Sequence, residues 1–348
     1  MAGALLAAEL GVRVASPAPL AVHGDPNRGA FTTPGDHPVR TDEYATVVHV
    51  NADGFVDRDW GPRRPGVKRV LVLGDSFVQA AQVPLDAGFG RQLDALLGPE
   101  VEVLSLGVPG AGTATALQLL ERHGPALEPD LVVLGFLVAN DAFNNHPLLD
   151  TKPDKPFFQL VDGDLVPVEA ADAGLGALAR SPLWQRSHLV RRVGRAVLAD
   201  REARDRLKRG GGLPLDLRVY DPDQPDPWPA AWAVTEALVA AVAARAASQG
   251  AGFGVLLFPG QEVGSAAGHR RATERWPELA AWDLRGAHQR AAAACAGPVH
   301  DTAADLRAAE AQGAPLYLPR DGHWTEAGHA AAAASAAPVV ARWLDAIQ

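Results

Sequence analysis

The chain has 348 residues, of which 47% are hydrophobic, so it can bury a large core as one elaborated domain or two modest ones. Its net charge of -9 and its pI near 5.6 argue against nucleic acid as a partner, because phosphate contacts need a basic face. The single cysteine, Cys295, excludes an internal disulfide, and we interpret it as a small buried apolar residue rather than a nucleophile.

The N-terminal stretch contains a short apolar segment that also carries Glu9 and Arg13. It falls short of the ~20 apolar residues that a spanning helix needs, so we expect a short amphipathic helix and no transmembrane segment in this chain. The alternative is the remnant of a truncated anchor or signal. The cytoplasm is therefore favoured over an extracytoplasmic location, which would follow from that alternative.

Residues 1–66 are predicted to form an N-terminal extension that precedes the main domain. Val47 to Val50, followed by Asp53-Gly54, predicts a strand and a hairpin turn, because Asp-Gly accepts the positive φ values of such turns.

From residue 67 to the C-terminus, short apolar runs alternate with Ala/Leu-rich helical patterns. The runs predict five buried strands: Val70 to Leu73, Val101 to Leu106, Leu131 to Leu137, Gly254 to Phe258 and Pro298 to Asp301. The helical patterns cover 87–97, 113–127, 231–249 and 278–296. This alternation predicts an α/β domain with a parallel sheet and helices on both faces.

Residues 143–230 interrupt this alternation of strand and helix patterns and are predicted to be an insertion that covers one edge of the sheet. Asp162-Gly163 predicts a second hairpin turn, and the Arg-rich segment after it is typical of a solvated helix face.

Polar residues follow the first three predicted strands, where ligands bind in an open parallel sheet. Ser76 follows the first strand directly, and its alternative role is a helix N-cap. The second strand leads into a loop with Gly107, Gly110 and Gly112, which is either a flexible turn or a place where a backbone N–H can approach an oxyanion. Asn140 follows the third strand and could donate to developing negative charge, or only form a turn or cap.

The last candidate group lies before the final Ala-rich helix. Asp321 could orient His323 as a general base, although a surface loop with an incidental His is the alternative. Thr325 is predicted to cap the helix, and His329 to be a solvated residue within it. The sequence contains no pattern for a metal site or a dinucleotide, so we expect no cofactor.

These motifs together resemble the SGNH/GDSL hydrolases. The resemblance covers about residues 68–145 and 250–345, and it is carried by Gly74-Asp75-Ser76, Gly110 in "GVPGAGT", Asn140-Asp141 and Asp321-Gly322-His323. It implies a flavodoxin-like three-layer α/β/α fold with a five-stranded parallel sheet of order 2-1-3-4-5.

The resemblance also implies roles for individual residues. Ser76 would be the nucleophile, His323 the base and Asp321 its orienter. The oxyanion hole would consist of the N–H groups of Ser76 and Gly110 and the side chain of Asn140.

The chain departs from the family pattern at two places. Val138 stands where the third block usually has glycine, and could narrow the pocket. The two-residue spacing of Asp321 and His323 is similar to that of branches that include O-acetyltransferase-like proteins. We expect a serine hydrolase that cleaves a small-molecule or carbohydrate ester through an acyl-enzyme. An O-acyltransferase and a catalytically silent binding module remain the alternatives, and the sequence does not indicate the oligomeric state.

Overall fold

The computed structural model describes residues 2–15, 34–150, 155–168, 187, 189–190, 193 and 212–347. Most of the predicted Arg-rich helix, and most of the segment between 169 and 211, therefore lies outside the described residues. The strands are β1 Gly35–Arg40, β2 Ala45–Val50, β3 Lys68–Gly74, β4 Val101–Gly107, β5 Leu131–Leu137, β6 Phe157–Val161, β7 Asp164–Val168, β8 Gly252–Phe258 and β9 Val299–Asp301.

The helices lie between and after these strands. They are α1 Ala2–Ala15, α2 Ser76–Gln79, α3 Phe89–Leu97, α4 Thr113–Leu127, α5 Asp141–Asn144, α6 Leu215–Arg218, α7 Trp228–Ser248, α8 Gln261–Gly264, α9 Ala266–Arg275, α10 Arg285–Ala293, α11 Ala303–Glu310 and α12 Glu326–Asp345, with short 3₁₀ turns at Leu85–Ala87 and Pro277–Ala281.

The central sheet has five parallel strands in the order β4-β3-β5-β8-β9. Numbered along the sheet-forming part of the chain, this order is 2-1-3-4-5, which confirms the predicted fold. Because the strands are parallel, the carboxyl ends of β3, β4 and β5 lie at the same edge of the sheet. The strand order reverses beside β3 at this edge. A ligand cleft is expected at such an edge.

Two helical layers cover the sheet because alternate residues of each strand point to opposite faces. Leu71 and Leu73 belong to a core shared with α4, α7 and α10, whereas Val70 and Val72 belong to one shared with α3 and α12. These strand residues are fully buried. The near-continuous apolar runs in the sequence follow from this burial on both faces.

Helix α7 is, among the residues that the structure describes, the one helix long and apolar enough to cross a membrane by length and composition alone. Its residues Trp228, Leu238, Val239 and Val242 are buried in the core that α4 and the sheet share. In this fold it is a core helix.

The predicted N-terminal hairpin is wrong in its turn. Strand β2 pairs antiparallel with the preceding strand β1, so the connecting turn is Thr41–Tyr44 rather than Asp53-Gly54. The Asn51 side chain accepts hydrogen bonds from the N–H groups of Asp53 and Phe55. These bonds take the place of cross-strand backbone bonds, so the turn at Asp53-Gly54 is not followed by a strand.

The second predicted hairpin is confirmed. Strands β6 and β7 pair directly around Asp162 and Gly163, whose φ values are 54° and 92°. Two consecutive positive φ angles are the geometry of the tight turn that Asp-Gly favours.

Candidate active site

Ser76 is the first residue of the short helix α2, directly after β3. The strand-to-helix turn is tight, since a Cβ on Gly74 would lie 2.5 Å from Cγ2 of Val78 in α2, and also 2.8 Å from the Gly135 carbonyl oxygen of the neighbouring strand. The N-cap is Asp75, whose Oδ1 accepts a hydrogen bond from the Phe77 N–H at 2.9 Å. The Ser76 hydroxyl instead lies 2.7 Å from Nε2 of His323, so the N-cap alternative for Ser76 does not hold.

Asp321 and His323 lie together in the loop before α12. Oδ1 of Asp321 is 2.6 Å from Nδ1 of His323, and the same oxygen accepts from the His323 backbone N–H at 3.3 Å. Gly322, between them, has a φ of 86°, a conformation that glycine adopts without strain. Beyond them, the fully buried Trp324 fixes this end of the loop in the core, and Thr325 caps α12 as predicted.

The charge state of Asp321 determines the tautomer of His323. Burial alone would raise the pKa of Asp321, but its hydrogen bond and charge interaction with His323 hold that pKa below its usual value. An ionised Asp321 accepts a hydrogen bond from Nδ1–H of His323, which leaves the Nε2 lone pair facing the Ser76 hydroxyl. The three side chains thus form a continuous chain of hydrogen bonds.

Gly110 lies in the turn that follows β4. The Ala111 N–H donates to the Val108 carbonyl at 2.9 Å, with Pro109 and Gly110 between them. Gly110 has a φ of 65°, as expected for glycine at the third position of a type II turn. This turn is hydrogen-bonded to the strand-to-helix turn that carries Ser76 (Gly74-Asp75-Ser76, called the Ser76 elbow below), because the Val108 N–H donates to the Gly74 carbonyl at 3.0 Å.

Two backbone donors of the predicted oxyanion hole are free of other acceptors. Within the described part of the chain, neither the Ser76 N–H nor the Gly110 N–H donates to another group. Free N–H groups on adjacent loops can donate hydrogen bonds to a negatively charged oxygen.

Asn140 follows β5, and its side-chain amide nitrogen lies 2.9 Å from Oδ2 of Asp75. The sequence did not indicate this bond. A carboxamide has two N–H groups, so one can be fixed by Asp75 while the other remains for a ligand. Asp75 therefore connects the Ser76 elbow to Asn140.

Two carboxyl groups are buried beneath these residues. Burial raises the pKa of Asp75, although the Asn140 and Phe77 hydrogen bonds oppose this effect. Burial and the neighbouring Asp75 charge raise the pKa of Asp141 well above its usual range. Asp141 thus favours its neutral form, which limits the repulsion between the two carboxyl groups.

Three residues differ from, or refine, the sequence-based expectation. His329 is not solvated: it is 1% exposed, and its ring lies 5.3 Å from that of Trp324 in an edge-to-face contact. Val138 is fully buried in the core. Cys295 is partly buried just beyond α10, and burial raises its pKa to about 12, which favours the unreactive thiol.

A parallel α/β/α sheet with a hydrogen-bonded Ser-His-Asp chain at its carboxyl edge is an arrangement found in serine hydrolases. Residues 72–331 match the GDSL-like lipase/acylhydrolase family, and the chain belongs to that family. No curated protein has a significantly matching sequence.

Three solved structures illustrate the similarity. TesA has 14% identity and a TM-score of 0.37, with coverage of 79% of this chain and 99% of TesA. A catalytic mutant of Axe2, an acetylxylan esterase from Geobacillus stearothermophilus, has 14% identity, a TM-score of 0.39 and coverage of 81% and 96%. A carbohydrate acetylesterase family member from Sinorhizobium meliloti has 16% identity, a TM-score of 0.36 and coverage of 80% and 100%.

Proposed function

We propose that this protein is a serine esterase that cleaves an acyl or O-acetyl ester of a small molecule or carbohydrate through an acyl-enzyme. The observation that carries the proposal is the chain of hydrogen bonds from Asp321 through His323 to Ser76, with lengths of 2.6 Å and 2.7 Å. Membership of the acylhydrolase family supports the same reaction class.

The first half-reaction forms the acyl-enzyme. Ser76 Oγ attacks the ester carbonyl carbon while its proton moves to Nε2 of His323, and Asp321 stabilises the resulting imidazolium. The carbonyl oxygen becomes an oxyanion that accepts from the Ser76 and Gly110 N–H groups and from the Asn140 amide. Collapse of this intermediate breaks the bond to the alcohol oxygen, which leaves with the proton from His323.

The second half-reaction returns the free enzyme. His323 takes a proton from water as that water attacks the acyl carbonyl carbon. The new intermediate then breaks its bond to Ser76 Oγ, which receives the proton back from His323, and the carboxylic acid is released. An acceptor hydroxyl in place of water would transfer the acyl group instead.

The experiment is turnover of p-nitrophenyl acetate and of a longer-chain p-nitrophenyl ester, with and without a sugar acceptor. We expect ester hydrolysis by the wild type, loss of it in Ser76→Ala, and unchanged activity in Ser248→Ala, whose exposed serine bonds only its own helix. Acyl transfer to the sugar in preference to water would identify an acyltransferase. A folded wild type with no turnover and no reaction with a fluorophosphonate would indicate a binding module.

A further inference from the structure

The turn of the β1–β2 hairpin contacts the loop that carries Asp321 and His323. Oε1 of Glu43 accepts a hydrogen bond from the Arg320 backbone N–H at 3.0 Å, and Oε2 accepts one from the Asp321 N–H at 2.6 Å. The Glu43 side chain is only 12% exposed. One carboxylate therefore holds two consecutive peptide groups, and the second belongs to Asp321 itself.

The hairpin holds Glu43 in a defined position. Oγ1 of Thr41 accepts from the N–H groups of Glu43 and Tyr44 at 3.2 and 3.1 Å, and the Thr41 N–H donates to the Tyr44 carbonyl at 2.9 Å. This network closes the turn around Glu43, so its carboxylate starts from a fixed backbone.

The same hairpin is anchored near the serine. Val48 and Val50 of β2 are buried in a small cluster with Ala81 and Leu85, which follow the Ser76 helix. The hairpin thus packs against the segment that follows the Ser76 helix, and Glu43 contacts the loop that carries Asp321. Tyr44 lies in the same turn, where burial and the charges of Asp321 and Glu43 raise its pKa.

We propose that Glu43 is a positioning residue that holds the Asp321 backbone so that the Asp321 carboxylate stays aligned with Nδ1 of His323. The proposal rests on the esterase function proposed above. It assigns part of the N-terminal extension to the active-site framework, although Glu43 has no hydrogen bond to Ser76 or to the His323 ring among the described residues.

The remaining contacts of the loop explain why Asp321 needs this support. The Leu318 N–H donates to the His323 carbonyl, and the Gly322 N–H donates to the Leu318 carbonyl, both at 2.8 Å. These bonds hold the His323 end, whereas the Asp321 N–H is held by Glu43. Hydrogen bonds to a carboxylate are stronger than neutral ones, so Glu43 is a strong constraint at this point.

The ion pair between Glu43 and Arg320 does not account for the contact. The closest approach of the two side chains is 3.9 Å, and the Arg320 side chain is 68% exposed. Exposed pairs of this kind contribute little. We therefore assign the positioning of the Asp321 backbone to the two hydrogen bonds from the Arg320 and Asp321 N–H groups to Glu43. Substitution of the Arg320 side chain leaves both bonds in place.

The test compares Glu43→Ala and Glu43→Gln with Asp42→Ala and Arg320→Ala in the full chain. Asp42 is the matched control, because it lies in the same turn with the same charge but is 92% exposed and 4.0 Å from Arg320. We expect Glu43→Ala to lower kcat by ~10- to 100-fold with little change in KM, since small displacements of catalytic groups have costs of this size. Glu43→Gln keeps one neutral acceptor and should lie in between, and both controls should stay within about twofold of wild type.

A second readout separates positioning from general stability and from the function proposed above. The proton shared by Asp321 and His323 should give a far-downfield ¹H NMR resonance, which Glu43→Ala should shift or broaden and the controls should not. If the wild type fails to turn over any ester, the esterase proposal fails, but this resonance still reports whether Glu43 aligns the pair. A folded Glu43→Ala or Glu43→Gln variant with wild-type kcat and an unchanged resonance would overturn the positioning role.

Discussion

Nε2 of His323 lies 2.7 Å from Oγ of Ser76, although 247 positions separate the two residues in the chain. The contact follows from the fold. Ser76 begins the helix after β3, and His323 precedes the last helix, which packs with α3 against the same face of the sheet. A hydrogen-bonded Ser–His pair is thereby formed at the edge where the strand order reverses.

Asn140→Ala tests the proposed oxyanion hole. Because a lost donor typically costs ~10²–10³-fold in kcat, we expect kcat to fall by this factor with little change in KM. The control is Asn144→Ala, which removes a buried amide of the neighbouring helix that bonds Asp150 at 2.9 Å. It should affect stability more than kcat. A change in KM alone at Asn140 would make it a substrate-binding residue.

His323→Ala tests the proposed base through the pH dependence. General-base catalysis requires the neutral imidazole, so kcat/KM of the wild type should rise with pH as the imidazolium loses its proton. In the variant, kcat/KM should no longer rise with pH in this way, and the rate should fall by ~10²–10⁴-fold. A folded His323→Ala variant with wild-type rate and profile would leave Ser76 without its base.

Asp321→Asn should impair the enzyme less than His323→Ala. The hydrogen bond and charge interaction with His323 hold the pKa of Asp321 below its usual value, so the carboxylate is ionised at neutral pH. An amide cannot stabilise the imidazolium to the same extent, but Nε2 can still accept the serine proton in part of the molecules. Steady-state kinetics of the folded variant should show reduced, measurable kcat. Wild-type activity would indicate that Asp321 has no orienting role.

His329 should make the protein sensitive to acid. Burial, together with the His323 charge, lowers the pKa of His329 to about 3, below the ~6.5 of an unfolded histidine. The unfolded state therefore binds the proton first, so this stabilising contribution is complete above pH ~6.5 and is lost as pH falls toward 3.

The measurement is urea unfolding of the wild type and His329→Leu between pH 8 and pH 4. The variant should lose less free energy of unfolding on acidification, with a difference in slope of at most ~1.4 kcal/mol per pH unit. Parallel pH curves for the two proteins would contradict a buried neutral His329.

Glu262 should have the opposite pH dependence. Tyr220 donates to its Oε1 at 2.6 Å, yet burial raises the pKa of Glu262 to about 7, above its unfolded value of ~4.5. The stabilising contribution is therefore complete below pH ~4.5 and is lost as pH rises through 7. Glu262→Gln keeps an acceptor for Tyr220 and removes this titration, so its stability relative to wild type should increase between pH 5 and pH 8. A constant difference in free energy of unfolding across that range would refute the assignment.

The strands could be predicted, and the candidate site residues singled out, because their signals are local. Continuous apolar runs mark strands that are buried on both faces, and Ser76, Gly110 and Asn140 each stand directly after such a run. The alanine-rich sequence of α12 has too little polar contrast to indicate which face is buried, so His329 was placed in solvent although it packs against Trp324.

Other features depend on contacts between distant segments. The bond from Asn140 to Asp75 joins residues 65 apart, and the bond from Asp321 to Glu43 joins residues 278 apart. No spacing rule links such positions. The prediction of a hairpin at Asp53-Gly54 was wrong for a different reason. The Asn51 side chain accepts hydrogen bonds from the backbone N–H groups there, so no second strand is needed to pair with them.

The most direct test of the proposed mechanism is covalent labelling with a fluorophosphonate, followed by mass spectrometry of the intact protein and its peptides. Only an activated serine reacts, because the reagent requires a nucleophile whose proton is removed by a base. We predict one adduct per chain, located on Ser76, absent from Ser76→Ala and formed slowly in His323→Ala. An adduct on another residue, or equal labelling of Ser76→Ala, would contradict Ser76 as the nucleophile.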